Sequence, residues 1–269
     1  MAMPKNLVLV RHGESEGNVA VKSSKKGNDS FFTEEFRNKH SSLWRLTDKG
    51  IDQAIKAGDW IKKNITDNFF RYYVSQYLRA METGAYLNLP KATWFTEFYL
   101  RERDWGEMDI ATEHEKKTKF SEEMKRREID SFYFAPAGGE SMAQLCLRVD
   151  RVIDTLHREC DRENVIIVCH GEAMWSFRIR LERMLPEKYY KLDNSSSPFD
   201  KIYNCQILHY TRVNPKTGEM DSYLNWVKSV CPWDTSLSRN KWEKIERPKY
   251  SNENLLNIVG RFPRIINEV

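Results

Sequence analysis

The segment LVLVRHGESEGN, residues 7–18, contains residue types that could do two different kinds of chemistry. Its GESEG portion fits the G-x-S-x-G pattern of serine hydrolases, in which Ser15 would be the nucleophile. The preceding pair, Arg11 and His12, could instead begin a phosphate site in which the imidazole attacks phosphorus. The two hypotheses need different supporting residues, so the rest of the chain can separate them.

The position of Ser15 argues against the serine hypothesis. A nucleophile elbow normally follows earlier strands, one of which supplies an oxyanion-hole amide, and only one strand precedes Ser15 here. A triad could still include His170, but no aspartate stands out as its orienting partner. Because the strand ends at Val10, His12 lies at its carboxyl end, where ligands bind in open α/β sheets. The sequence favours His12.

A second histidine occurs in the same setting. Residues 6–10 (NLVLV) and 165–169 (VIIVC) are short apolar runs typical of buried parallel strands. Each run is followed by a His-Gly pair: His12-Gly13 and His170-Gly171. Either histidine alone is more often structural, but two such pairs predict a site at one edge of the sheet.

Arginines accompany these histidines. Arg11 precedes the first one, and Arg79 follows a predicted strand at residues 72–75. Arg79 alone would suit a surface ion pair on a helix. Beside Arg11 it could instead clamp a phosphate, since guanidinium donors match phosphate oxygens and stay charged at any working pH.

The motifs LVRHGESEGN, SQYLRAMET, LRERDWGE, GGES and VCHGE occur in the order found in the histidine phosphatase superfamily, also called phosphoglycerate mutase-like. The chain resembles that family over residues 6–175. It is especially similar to the phosphoglycerate mutase-like proteins of plants, fungi and bacteria. The resemblance is most specific at Arg11-His12-Gly13, Arg79, Glu102 and His170.

The resemblance implies a phosphomonoesterase in which His12 becomes a phosphohistidine that water hydrolyses. It implies phosphate contacts from the substrate-binding set Arg11, Gly13, Asn18, Arg79 and Gly171, and a general acid, Glu102. The physics agrees: imidazole is neutral near pH 7, and phosphoryl transfer mainly needs positioning and charge neutralisation, to which His170 would contribute. A carboxyl acting as an acid at neutral pH needs a raised pKa, from burial or from the substrate's charge.

Other carboxylates compete with Glu102. Asp104 and Glu107 are near it in sequence, whereas Glu140 suits a helix start and Glu172 a supporting position. No H-x-H or H-E-x-x-H spacing suggests a metal, and we expect neither metal nor cofactor.

Two further functions stay open. A mutase would return the phosphoryl group to bound product, but mutases of this superfamily carry R-H-G-x-S-x-W-N, and Glu16-Gly17 precede Asn18 here. A phosphate-binding regulatory protein with weak catalysis is the third hypothesis. Lys22, Lys25 and Lys26 could meet a second phosphate or carboxylate, although a solvated loop explains them more simply.

Composition limits the partners. The 269 residues carry a net charge of +4 and a pI near 8.7, with no long basic run, so we expect a small phosphorylated substrate and no nucleic acid. No apolar run approaches a membrane span. Five scattered cysteines suggest a reducing compartment, and we expect a cytoplasmic protein.

Alternating helices and strands predict an α/β fold: a three-layer sandwich with a mostly parallel sheet and helices on both faces. We expect one domain over residues 1–269, with a core at 5–230, an insertion at 104–136 and a C-terminal extension at 231–269. Predicted elements are a polar loop at 22–45, helices at 47–64, 78–87, 113–127 and from Ser141, an extended segment at 95–100, and a hairpin at 205–230. The hairpin could lie at the sheet edge and form a homodimer.

Overall fold

The computed structural model describes residues 2–266 and contains a seven-stranded sheet of order β3-β2-β4-β1-β5-β6-β7. Strand bounds are β1 Asn6–Arg11, β2 Arg71–Ser75, β3 Trp94–Glu97, β4 Asn164–Cys169, β5 Ile207–Thr211, β6 Trp226–Val230 and β7 Trp242–Lys244. β1, β2, β3 and β4 pair in parallel, while β5, β6 and β7 continue the sheet through antiparallel pairs. Five of the seven strands therefore share one direction, which confirms the predicted mostly parallel sheet.

Helices cover both faces of this sheet. Within the described residues they are α1 Glu16–Ser24, α2 Glu34–Asn38, α3 Asp48–Asn64, α4 Leu78–Tyr86, α5 Glu113–Thr118, α6 Ser121–Ile129, α7 Met142–Glu159, α8 Gly171–Glu182, α9 Pro186–Asp193 and α10 Asn252–Val259. Alternate residues of β1 point to opposite faces. Leu7 and Leu9 pack with α7 and α8, and Val8 and Val10 pack with α3 and α4. The three-layer α/β class is confirmed.

Two helix starts follow the predicted capping chemistry. The Thr47 side chain accepts a hydrogen bond from the Gly50 amide at 3.1 Å, and Ser141 forms a complete capping box with Gln144. α3 and α7 begin directly after these caps. No helix of the described residues is long and apolar enough to cross a membrane.

Several local predictions were wrong. The loop predicted at 22–45 contains the end of α1, all of α2 and a 3-10 turn, Ser41–Leu43. The extended segment at 95–100 becomes a 3-10 turn after Glu97. The single helix predicted at 113–127 is two helices, because the chain breaks to bury Phe120 against Met108 and Ala111.

The predicted hairpin is present as β5 and β6, with an isolated bridge between Val213 and Met220 nearer its turn. It does not lie at the sheet edge, because β7 pairs with the outer side of β6. β7 is too short for a pattern to predict, and it brings part of the C-terminal extension into the sheet. The last three residues of the predicted C-terminal extension, 267–269, lie outside the described residues.

Candidate active site

The ends of the two central strands bring His12 and His170 together. The His12 amide donates a hydrogen bond to the Cys169 carbonyl at 2.9 Å, which continues the β1–β4 pairing by one residue. The two ring centroids are 5.1 Å apart, and both side chains are buried. Residues 158 positions apart in the chain thus form one site, as the paired His-Gly pattern predicts.

The two ring nitrogens of His12 have different partners. Nδ1 lies 2.7 Å from the Gly13 carbonyl oxygen, and Arg79 donates its Nε–H to Nε2 at 3.2 Å. A carbonyl can only accept and a guanidinium can only donate. The proton is therefore on Nδ1, and Nε2 is the unprotonated nitrogen, whose lone pair accepts from Arg79.

Arg79 is held tightly beside this nitrogen. It donates to the Ser41 carbonyl at 2.6 Å, and its guanidinium carbon lies 4.9 Å from the Tyr77 ring centroid. Burial lowers the pKa of Arg79, an effect that Glu102 opposes. Because this guanidinium is buried away from water, it will interact strongly with an entering anion.

Arg11 is the second buried arginine that lines the same cavity as His12. Its Nη1 donates to the Ile202 carbonyl at 2.6 Å, and its Nε is buried without a partner in the described residues. A Cβ at Gly171 would lie 3.3 Å from that Nε, so the glycine gives the guanidinium its space. Burial also lowers the pKa of Arg11.

Position 13 needs a glycine because the backbone of Gly50 passes close to it: a Cβ at position 13 would lie 2.3 Å from the Gly50 carbonyl oxygen. Its amide donates to the Thr83 hydroxyl at 3.0 Å, and that hydroxyl donates to the Arg79 carbonyl at 2.7 Å. Gly13 therefore ties the histidine loop to the helix that carries Arg79.

His170 is oriented by Ser75, whose hydroxyl lies 2.8 Å from Nε2. Its Nδ1 is buried and has no partner among the described residues. Burial, together with Arg79, lowers the pKa of His170 and of His12 well below the usual range, so both rings are neutral at pH 7. An anion would satisfy the unpartnered nitrogens of His170 and Arg11.

Asn18 lies at the start of α1 with its side chain at the cavity wall. Its Oδ1 accepts from the Ser15 backbone amide at 3.2 Å and from Asn204 Nδ2 at 2.9 Å. The hydrogens on the side-chain Nδ2 of Asn18 are therefore left for a ligand. Ser15 itself caps α1, accepting from the Asn18 amide at 3.4 Å. The Ser15 hydroxyl is engaged in capping the helix, which argues against Ser15 as the nucleophile. Asn204 is a site neighbour that the sequence did not reveal, because no motif surrounds it.

Glu102 faces the cavity at the amino end of α8. Its Oε1 accepts hydrogen bonds from the Arg103 amide at 3.1 Å and the Ala173 amide at 3.3 Å. Arg148 anchors the same segment, donating to the Arg101 and Glu102 carbonyls and pairing with Glu140 at 2.7 Å. Glu140 thus pairs with buried Arg148, an arginine that no sequence motif had singled out.

Glu172 is the second carboxylate of the cavity. It accepts from Trp105 Nε1 at 2.8 Å and Arg103 Nη1 at 3.3 Å. Burial is the main cause that raises the pKa of Glu172 to about 7; Arg103 opposes this rise, and the neighbouring Glu102 contributes to it.

The other competitors of Glu102 are directed elsewhere. Asp104 accepts from the Gly106 amide at 2.8 Å, and Glu107 forms an exposed pair with Lys119 at 3.8 Å. Neither lines the cavity described next.

Arg11, His12, Asn18, Arg79 and the two carboxylates share one cavity of about 320 Å³. The candidate residues His170, Gly13 and Gly171 are not among its lining residues, which are Arg11, His12, Ser15, Gly17, Asn18, Val21, Lys25, Trp44, Arg79, Glu102, Trp105, Met108, Asp109, Glu113, Lys116, Met124, Arg127 and Glu172. Over residues 2–266, no cluster of three or more His, Cys, Asp or Glu side chains could hold a metal ion.

Comparison with known proteins gives a consistent result. The model of the histidine phosphatase superfamily (branch 1) matches residues 7–199. Human 6-phosphofructo-2-kinase/fructose-2,6-bisphosphatase 3 is 29% identical over 230 residues, which cover 85% of this chain and 38% of that protein. The chain thus spans well under half the length of that relative.

Two other proteins align over most of their length. The 2,3-bisphosphoglycerate-dependent phosphoglycerate mutase of Parvibaculum lavamentivorans is 31% identical over 71% of this chain and 86% of its own. The crystal structure of the alpha-ribazole phosphatase from Shigella flexneri superposes with a TM-score of 0.61 at 20% identity, covering 81% of this chain and 96% of that one.

Proposed function

Because this chain belongs to branch 1 of the histidine phosphatase superfamily, we propose that it hydrolyses phosphomonoesters through a phosphohistidine on His12. The orientation of the His12 ring carries the proposal. Nδ1 is held by the Gly13 carbonyl, so Nε2 is the nitrogen without a proton, and Arg11 and Arg79, which donates to Nε2, line the same cavity as His12. This is the arrangement that in-line attack on a bound phosphoryl group requires.

In the first step Nε2 of His12 forms a bond to phosphorus as the bond between phosphorus and the ester oxygen breaks. Arg11, Arg79 and His170 donate hydrogen bonds to the phosphoryl oxygens, and Asn18 adds an uncharged donor. Buried, preorganised donors are effective here, since each typically contributes about 3 kcal/mol in the transition state. The phosphate dianion also favours protonation of His170, whose pKa is lowered in its absence.

Glu102 protonates the leaving oxygen in that step. Its carboxylate then takes a proton from water as the water oxygen attacks phosphorus and the bond to His12 breaks, which returns every group to its starting state. The support for Glu102 is its place on the cavity wall, fixed by two backbone amides and by the grip of Arg148 on its segment.

The residue before Asn18 bears on the mutase alternative. A Cβ at Gly17 would lie 2.3 Å from the Trp44 ring, so Trp44, from the segment at 22–45, fills the space above Gly17. The tryptophan that mutases carry in this motif has no room here. This supports hydrolysis over mutase activity.

We also propose a cytoplasmic location and a small phosphorylated substrate. The location is supported by five cysteines that are all buried and free among the described residues. A homodimer stays a prediction, with its interface unassigned, and sedimentation velocity would measure it.

Turnover of 4-nitrophenyl phosphate by the wild type and by His12→Gln tests the proposal. Hydrolysis by the wild type and its loss in His12→Gln support a phosphatase. A requirement for a bisphosphorylated primer would establish a mutase instead. Phosphate binding by both proteins without turnover would leave only a binding protein.

A further inference from the structure

We propose that α10 of one chain docks, with its apolar face inward, into a groove beside α1 and α2 of a second copy of this chain. Two copies would thereby exchange their C-terminal helices in a reciprocal contact. The inference goes beyond the proposed reaction, because the groove shares none of its lining residues with the cavity around His12.

The apolar face of α10 is uncovered. Leu255, Ile258, Val259 and Phe262 follow the spacing i, i+3, i+4, i+7, which is the pattern of helices that bind in grooves. Phe262 lies on this face because the helical turn continues past Val259, with the Phe262 amide donating to the Val259 carbonyl at 3.0 Å. Leu255, Val259 and Phe262 are 49%, 65% and 73% exposed. Nothing within residues 2–266 therefore covers the face, and such a surface indicates a partner.

An apolar groove of about 410 Å³ lies beside α1 and α2, and we call it the Phe31 groove. Val19, Phe31 and Phe36 are its apolar lining, and Phe31 is half-exposed. Phe36 is held from below, since its ring stacks on Trp44 at 4.8 Å between centroids and packs edge-on against Phe32 at 5.3 Å. The groove is therefore preformed, and an entering helix would not have to reorganise it.

The helix and the groove also have complementary charges. Residues 249–266 carry three basic side chains and one acidic one, and Arg261 and Arg264 stand on either side of Phe262. The rim of the Phe31 groove contains Glu16 and Glu35 and a single lysine. Opposite charges at the rim would orient the helix in the groove. An anionic lipid surface would also suit the arginines, but it would leave the groove uncovered, whereas a second copy covers both surfaces at once.

The chain that leads to α10 leaves the sheet far from its own Phe31 groove. Lys244, the last residue of β7, pairs with Trp226, which lies across β5 from Asn6, the first residue of β1. Arg247 then fixes the chain at this end, because it donates to two backbone carbonyls at 2.9 and 2.8 Å. The groove lies beyond the other end of β1, where α1 follows that strand.

The link between Arg247 and α10 is too short to cross that separation. The chain from Arg247 to Asn252, the first residue of α10, spans at most about 18 Å when it is extended. The six residues of β1 are about 20 Å long, and the two strand spacings from β1 to β6 add roughly 10 Å sideways. α10 therefore cannot lay its whole apolar face in the groove of its own chain, whereas a second copy can present that groove to it.

Sedimentation velocity over a range of protein concentrations tests the contact. We expect a wild-type dimer, and Phe31→Asp and Val259→Asp should each weaken it at least about tenfold, because each puts a charge at the centre of both contacts. Ile129→Asp is the matched control, since Ile129 is 84% exposed on α6 and belongs to neither surface, and it should keep the dimer. All three variants should turn over 4-nitrophenyl phosphate as the wild type does, which shows that they fold.

Mixing the two variants distinguishes helix exchange from any other interface. Phe31→Asp keeps an intact helix and Val259→Asp keeps an intact groove, so a mixed pair retains one native contact and should associate more tightly than either variant alone. In the wild type, hydrogen exchange of the α10 amides should slow as protein concentration rises. A monomer at every concentration, a dimer that survives both substitutions, or a mixture no tighter than its components overturns the proposal. Wild-type binding to anionic phosphatidylserine vesicles that Val259→Asp loses and Phe31→Asp keeps would also overturn it, because the partner of α10 would then be lipid.

Discussion

Replacing Arg79 with methionine should separate catalysis from stability. The guanidinium donates to His12 Nε2 and the Ser41 carbonyl, and burial lowers its pKa, so the protein holds the charge at a cost. Losing one preorganised donor typically costs about 3–4 kcal/mol in the transition state, or 10²–10³ in kcat. Loss of the hydrogen bond to the Ser41 carbonyl costs about 1–3 kcal/mol of stability. Methionine offsets part of this cost because a charged group no longer has to be buried. We expect unfolding free energy to change by under about 2 kcal/mol.

Thermal unfolding without and with orthovanadate measures the stability of the folded protein and its affinity for the anion on one sample. A ligand at 100 times its dissociation constant adds about 2.7 kcal/mol to the stability of the folded state. If Arg79→Met weakens binding a hundredfold, the same concentration adds only about 0.4 kcal/mol, so the vanadate-induced rise in Tm should nearly vanish. Arg45→Met is the control, since Arg45 forms only an exposed pair with Glu82. Wild-type kcat in Arg79→Met, or an unchanged response to vanadate, would refute the reasoning.

Three other substitutions test the remaining site groups. Glu102→Gln should lower kcat about 10²–10⁴ for alkyl phosphates but far less for 2,4-dinitrophenyl phosphate, whose leaving group needs no proton; an equal loss on both would remove Glu102 as the acid. Glu172 has its pKa raised to about 7 in the folded protein, so it binds a proton more tightly there than when unfolded. Stability therefore falls as pH rises from about 4.5 to 7, by on the order of 3 kcal/mol. Denaturant melts of Glu172→Gln should lack this fall, and a wild-type pH profile would contradict it. Gly13→Ala forces a Cβ against the Gly50 carbonyl and should destabilise by about 1–3 kcal/mol, whereas Gly84→Ala, with only ordinary contacts near 3.4 Å, should not; equal melting of the two would exclude the close approach.

The central strands and the residues at their ends could be predicted because local signals agree there. Continuous apolar runs specify β1 and β4, capping residues specify α3 and α7, and a parallel sheet then places His12 beside His170. Each of these features depends on short-range pattern and on one rule of sheet topology.

The supporting contacts could not be predicted, since they depend on long-range packing. Arg148 reaches carbonyls more than 45 residues away, and Asn204 joins Asn18 across 186 positions. Neither has a local pattern that distinguishes it from a surface residue. The predicted solvated helix at 113–127 failed for the same reason, because Phe120 is buried by partners outside that helix.

The central claim is tested most directly by trapping the intermediate on the protein. The wild type, mixed with a phosphomonoester and quenched in base within one turnover, should carry an acid-labile phosphoryl group on Nε2 of His12 by peptide mass spectrometry. This adduct should form at least as fast as turnover and be absent in His12→Gln. A phosphoryl group on any other residue, or steady turnover by His12→Gln, would contradict the account.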